Sequence, residues 1–259
     1  MKTRVKDRLR TREMSFGSWL SLGSEPAAEI MARAGFEWLV VDMEHAPIGV
    51  AEAARLIRIV DLAGLPAICR LPSQDPALIK NVLDAGATGV MLPMIETREQ
   101  AERAVAASRY PPNGWRGVGL GRAQGYGNRF EAYRAEQADH VVVVAMIETR
   151  PGVENVQAIA ATPGIDGLLI GPYDLSGSLG HIGELNHPAV ETAKRTILEA
   201  AEAAGIGSGL HVVHPSEASI RQAVRDRYSF LALGVDMILL DHAARRAVEV
   251  ASETERQMK

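Results

Sequence analysis

The sequence predicts an α/β protein, a (β/α)8 TIM barrel that occupies residues 1–259 as a single domain. Three observations lead there. Short apolar runs alternate with longer amphipathic segments from one end to the other. Roughly eight such units in about 250 residues is the size of this barrel. No pyrophosphate loop follows the first strand, as a doubly wound nucleotide fold would require.

The expected strands are FGSWLSL (16–22), WLVVDME (38–44), PAICRLP (66–72), GVMLPMI (89–95), VVVVAMIE (141–148), GLLIGP (167–172), GLHVV (209–213) and FLALGVD (230–236). They are rich in Val, Ile and Leu, as strands buried on both faces must be. Between them, EPAAEIMARAG, GVAEAARLIRIVDLAG, DPALIKNVLDAG and HPAVETAKRTILEAAEAAG place apolar residues at i, i+3 and i+4. Gly35, Gly64, Gly86 and Gly205 close these helices. One connection breaks the rhythm. Residues 111–139 are too long for a simple turn and read as a mobile segment, at a subunit contact or over the site. The GVGLG within it lacks the strand–helix context of a nucleotide loop.

The net charge of −4 shows no polyanion-binding signature, so nucleic acid is not an expected partner. No apolar stretch reaches the roughly 18 residues a membrane helix needs, and the basic N-terminus has no apolar core of a signal peptide. The one cysteine, Cys69, forms no internal disulfide and fits a reducing, cytoplasmic setting.

In such barrels the chemistry gathers at the C-terminal ends of the strands. There the sequence puts Trp19, Asp42 to His45, Arg70, Pro93, Glu148, Asp174 and His211. Glu148 and Asp174 follow consecutive strands and converge on one point. Two carboxylates, completed by water and substrate oxygens, suit a hard divalent cation such as Mg²⁺ or Mn²⁺. Helix capping is the alternative for both. Arg70 needs a partner, either Asp42 or an oxygen whose charge develops during reaction. Histidine is the side chain suited to carrying protons near neutral pH, which makes His45 a candidate base with Asp42 placed to orient its ring, and Glu44 between them reads as structural. The lysines beyond the N-terminal segment, Lys80, Lys194 and Lys259, fall on helices or at the C-terminus, which argues against imine chemistry. His211 and His214 read as structural.

The segments WLVVDMEHAPIG, CRLP, NVLDAGATGVMLPMIET, YPPNGWRGVG, AMIETRPGVEN and DGLLIGPYDLSGSLG, in this order over about residues 15–242, resemble the HpcH/HpaI aldolases. These are metal-dependent class II pyruvate aldolases on a TIM barrel. The resemblance implies reversible retro-aldol cleavage of a 4-hydroxy-2-oxo acid to pyruvate, or a related 2-oxo acid, and an aldehyde, through a metal-stabilised enolate. Glu148 and Asp174 would hold Mg²⁺, Mn²⁺ or Co²⁺. Arg70 would stabilise the enolate oxygen and His45 would act as base. Asp84 would raise the basicity of His45, from a neighbouring subunit. The backbone around Gly171, Pro172, Tyr173 and Asp174 would receive the substrate carboxylate. Trp19 and Val118 would line the aldehyde side. Met146 stands where the family often has a substrate-contacting glutamine.

The resemblance also implies a homo-oligomer, a hexamer built as a trimer of dimers, with the C-terminal helix exchanged between subunits. Two other readings remain open on the same barrel: a CoA-ester lyase of the citramalyl or malyl type, and a non-catalytic barrel that binds 2-oxo acids.

Overall fold

The computed structural model describes residues 5–258. Eight parallel strands close into a barrel in sequence order: β1 (Ser15–Leu20), β2 (Trp38–Asp42), β3 (Ala67–Arg70), β4 (Gly89–Leu92), β5 (Val142–Ile147), β6 (Gly167–Ile170), β7 (Gly207–Val212) and β8 (Phe230–Val235). Every expected strand is present. Their C-terminal ends are drawn back by one to three residues, because the polar residues there leave the ladder and turn into loops.

The helices are α1 (Val5–Thr11), α2 (Glu25–Arg33), α3 (Val50–Leu62), α4 (Pro76–Asp84), α5 (Arg98–Ser108), α6 (Phe130–His140), α7 (Arg150–Glu154), α8 (Val156–Ala160), α9 (Pro172–Ser178), α10 (Pro188–Ala204), α11 (Glu217–Arg225) and α12 (Asp236–Gln257). Gly35, Gly64, Gly86 and Gly205 stand just beyond α2, α3, α4 and α10 with φ of 97°, 92°, 104° and 67°, as helix-closing residues do. Among the described residues no helix is long and apolar enough to cross a membrane.

Alternation along each strand builds two cores. Leu39, Val41, Cys69, Val90, Val143 and Ile170 face outward and bury the inner faces of the helices. Trp19, Trp38, Val40, Ile68, Met91, Val144, Met146, Leu169 and Phe230 fill the barrel. Trp38 and Phe230 stack with centroids 3.8 Å apart. Gly17 makes room for that stack, since a Cβ there would lie 2.2 Å from the Trp38 indole. Cys69 is fully buried, which pushes its thiol up to about 12 and leaves it inert.

α1 plugs the N-terminal pole, with Val5 and Leu9 joined to the barrel interior. It also brings in Lys6, 2% exposed, whose ammonium donates to the Val141 carbonyl at 2.6 Å and to Asp166 Oδ2 at 3.1 Å. Burial lowers its pKa to about 8, against the pull of Asp166. A lysine therefore does enter the barrel, but at the closed pole and locked in an ion pair.

Two regions depart from the simple alternation. The 111–139 connection does not lie over the strand C-termini of its own chain. Arg116 pairs with Asp84 at 2.6 Å and Arg122 pairs with Asp61, which ties the segment to the C-terminal ends of α4 and α3, at the opposite pole. Its last part is α6, and Trp115, Val118, Leu120 and Tyr126 remain exposed. The second region is α12. Only its first residue, Asp236, is buried, and every described residue from Leu240 onward is exposed.

Candidate active site

Strand register places Asp42 beside Arg70. The guanidinium grips the carboxylate at both ends, Nε to Oδ1 at 2.9 Å and Nη2 to Oδ2 at 2.7 Å, and lies over the Trp19 ring at 4.3 Å. Bidentate pairing and the ring below fix the cation in one orientation. Asp42 Oδ1 also accepts the backbone N–H groups of Glu44 and His45, which shapes the turn after β2. Burial opposes ionisation of Asp42, but the hydrogen bond and charge of Arg70, helped by those N–H groups, outweigh it and hold the carboxyl below its ordinary value. Asp42 thus touches His45 through the backbone, and its oxygens are occupied by Arg70 rather than orienting the imidazole. The exposed ring instead lies 3.9 Å from Glu44, Nε2 to Oε2.

Glu148 follows β5 and is 3% exposed. Its Oε1 accepts the Met94 N–H at 2.8 Å. Burial is the main cause that pushes its pKa up to about 7, opposed by the Met94 N–H and reinforced by Glu44 and Asp174. Asp174 stands exposed in the first turn of α9. Neither acts as a helix cap: Gly171 is the N-cap of α9 and Thr149 that of α7. Gly171 leaves space beside Glu148, because a Cβ there would sit 2.5 Å from Oε2.

Glu44 is the residue that sequence reasoning set aside as structural. Its carboxylate is largely buried, and Oε2 has no hydrogen-bond partner. It lies 3.4 Å from Arg70 Nη1. Burial, with Asp42 and Asp174 nearby, raises its pKa against the pull of Arg70. Four carboxylates (Asp42, Glu44, Glu148 and Asp174) therefore interact around one guanidinium. The signal in the sequence was adjacency: Glu44 follows Asp42 by two residues at a polar strand end.

A pocket of about 380 Å³ is lined by Trp19, Asp42, His45, Arg70, Met146, Gly171, Pro172, Tyr173 and Asp174, with His211 on the far wall, while Glu44 and Glu148 are not among its lining residues. Asp84 and Val118 lie elsewhere, Asp84 at the end of α4 in its pair with Arg116, and Val118 exposed on the segment beside it. A larger cavity of about 690 Å³ opens at the N-terminal pole, among Lys6, Arg58, Arg122 and Tyr133. It contains none of the strand-end residues, so volume does not identify the site here.

His181, Glu184 and His187 also approach one another, with ligand atoms within 4.8 Å. The two rings stack face to face, 3.4 Å apart and 17° from parallel, and His187 Nδ1 caps α10 by accepting the Ala189 N–H. In-plane lone pairs of nearly parallel rings do not meet at one ion.

The HpcH/HpaI aldolase/citrate lyase family model matches residues 15–243. A hydroxypyruvate/pyruvate aldolase of Chromohalobacter salexigens is 43% identical over 90% of this chain and 91% of its own. A 5-keto-4-deoxy-D-glucarate aldolase of Escherichia coli is 36% identical over 95% of both chains. The crystal structure of a family protein from Burkholderia cenocepacia superposes with a TM-score of 0.91 at 40% identity, over 96% of this chain and 100% of that one. With this barrel, these strand ends and relatives matched along nearly their whole length, the chain belongs to the HpcH/HpaI aldolase/citrate lyase family.

Proposed function

We propose that this aldolase, a carbon–carbon lyase, reversibly cleaves a 4-hydroxy-2-oxo acid to pyruvate or hydroxypyruvate and an aldehyde, with a divalent cation held by Glu148 and Asp174. The observation that carries the reading is the excess of carboxylates over cations at the strand ends. Glu148 sits buried among like charges with its pKa pushed up to about 7, and the buried Glu44 Oε2 makes no hydrogen bond. Such a set is stabilised by a hard cation, and oxygen donors suit Mg²⁺, Mn²⁺ or Co²⁺. When bound, the cation supplies Lewis-acid polarisation of the substrate's keto oxygen.

In the cleavage direction the 4-hydroxyl loses its proton, the C3–C4 bond breaks, and the electron pair moves into the enolate of the 2-oxo acid. Arg70, fixed by Asp42 and Trp19, offers a preorganised positive charge to that oxygen. His45 is the group placed to exchange the proton with solvent, its ring exposed and beside Glu44. Gly171 and Pro172 start α9, whose first-turn N–H groups at Tyr173 and Asp174 suit the substrate carboxylate. Met146, 2% exposed, gives the floor of the pocket a thioether that donates no hydrogen bond.

Chelation tests the reading. Stripping divalent ions is expected to lower pyruvate formation by at least ~10³-fold, with recovery on adding Mg²⁺, Mn²⁺ or Co²⁺. Full activity in excess chelator overturns it.

The exposed length of α12 supports exchange of this helix within a homo-oligomer, a hexamer assembled as a trimer of dimers. Light scattering on the full chain and on a chain ending at Leu240 checks this. The truncated chain is expected to have a lower mass per particle, and an unchanged mass removes the exchange.

A further inference from the structure

The cation-binding side of the pocket comes from β5 and β6. The opposite wall comes from β7, β8 and β1, and includes Trp19, Ser21, His211, Val213, Val235 and Met237. A substrate anchored by its 2-oxo acid end points its remaining carbons toward that wall. Four of these six side chains present hydrocarbon, ring faces or thioether. The polar ones are Ser21, whose hydroxyl donates to Asp42 Oδ2 at 3.3 Å, and His211.

Its ring is held in place. It tilts against Trp19 with centroids 5.2 Å apart, and Nε2 lies 3.3 Å from the Gly234 carbonyl oxygen. A carbonyl only accepts, so Nε2 carries the hydrogen and Nδ1 keeps its lone pair. Nδ1 has no hydrogen-bond partner among the described residues and is not among the enclosed unpaired atoms, and the residue lines the pocket. Burial, with Arg70 nearby, holds the imidazole down to about 4 against the Gly234 carbonyl, and the ring stays neutral in neutral solution. The Trp19 Nε1–H is also unpartnered, but it is enclosed and out of a ligand's reach.

We propose that His211 selects the aldehyde partner by accepting a hydrogen bond, through Nδ1, from a hydroxyl group on the carbons beyond the bond that is made or broken. The enzyme then favours hydroxylated aldehydes over their deoxy analogues. An aldehyde with a carboxylate in place of that hydroxyl is disfavoured, because at Nδ1 a carboxylate meets a lone pair rather than a donor. The inference rests on the aldolase reading.

The test compares kcat/KM for glyceraldehyde, propanal and succinic semialdehyde, each with pyruvate. The readout is a ratio within one enzyme preparation, which a uniform loss of activity leaves untouched. In the unaltered enzyme glyceraldehyde is expected to exceed propanal by about ten-fold, the size of one neutral hydrogen bond. His211→Leu is expected to lower that ratio to near one, chiefly through KM for glyceraldehyde. His211→Gln, which keeps an acceptor oxygen, is expected to restore part of it. A ratio unchanged by His211→Leu overturns the proposal, as does a succinic semialdehyde rate matching that of glyceraldehyde. If neither variant folds, equal rates for glyceraldehyde and propanal in the unaltered enzyme overturn it. Solvent deuterium exchange into the methyl group of pyruvate separates the two levels. Its absence in the unaltered enzyme defeats the aldolase reading itself, whereas exchange with an unaltered ratio defeats only the role of His211.

Discussion

The two poles of the barrel treat buried charge in opposite ways. At the N-terminal pole Lys6 meets Asp166 and two backbone carbonyls, and Asp166 also accepts the Val143 N–H. Arg109 donates to the carbonyls of Gln137 and Val141. The buried cations there are met by carboxylates or carbonyls, although single atoms such as Arg116 Nε and Gln137 Oε1 lack a hydrogen bond. At the C-terminal pole the carboxylates of Asp42, Glu44, Glu148 and Asp174 gather around the single guanidinium of Arg70, Glu44 Oε2 has no hydrogen bond, and burial pushes the Glu148 pKa up to about 7. Burial by itself therefore says little about function. What separates the poles is whether the protein completes its own electrostatics or leaves them open for a ligand.

Three perturbations probe that contrast, from the largest expected effect downward. Lys6→Met leaves the buried Asp166 with only the more distant, half-exposed Arg10 as a cation and is expected to cost about 3 kcal/mol of stability, with kcat of the folded protein unchanged. Denaturant titration and turnover per folded protein check this, and a selective loss of kcat would show that the lower pole takes part in the chemistry. Arg70→Ala is expected to do the reverse, lowering kcat about 10²–10³-fold while thermal unfolding shifts far less. A variant that unfolds but keeps its rate would make Arg70 a structural cation like Lys6.

The third perturbation is pH. Glu148 is raised to about 7 by burial, so in the cation-free protein it gains its proton as pH falls through that value. A cation needs the carboxylate. Its affinity is expected to fall by up to about ten-fold per pH unit below 7 and to level off above, with proton release in calorimetry near pH 7. Affinity that stays flat from pH 6 to 8 would mean that Glu148 is not a donor.

The barrel was legible because its strands are buried on both faces and read as unbroken Val, Ile and Leu runs, each followed by a helix of clear period. The polar strand ends were legible for a topological reason: parallel closure brings all eight to one rim, so Arg70, Glu148 and Asp174 converge however far apart they lie in the chain. Pairings within the rim were not. Asp42 looked like the orienter of His45 because three residues separate them, yet the adjacent strand delivers Arg70 to both of its oxygens. Glu44 looked structural because burial of one side chain depends on neighbours that a linear reading does not place. The 111–139 segment was recognised as unusual, but its position at the far pole depends on Arg116 and Arg122 meeting Asp84 and Asp61, contacts that leave no local mark in the sequence.

The start of α12 has a mechanical consequence. The helix begins at the residue after β8, and the Asp236 carboxylate there accepts the N–H groups of Ser21 and Leu22. Val235 and Met237, on either side of that anchor, belong to the pocket wall opposite Gly171 to Asp174. With no linker to absorb slack, a torque on the protruding tail is transmitted to the rim within two residues. The tail is a lever with its fulcrum at the pocket wall.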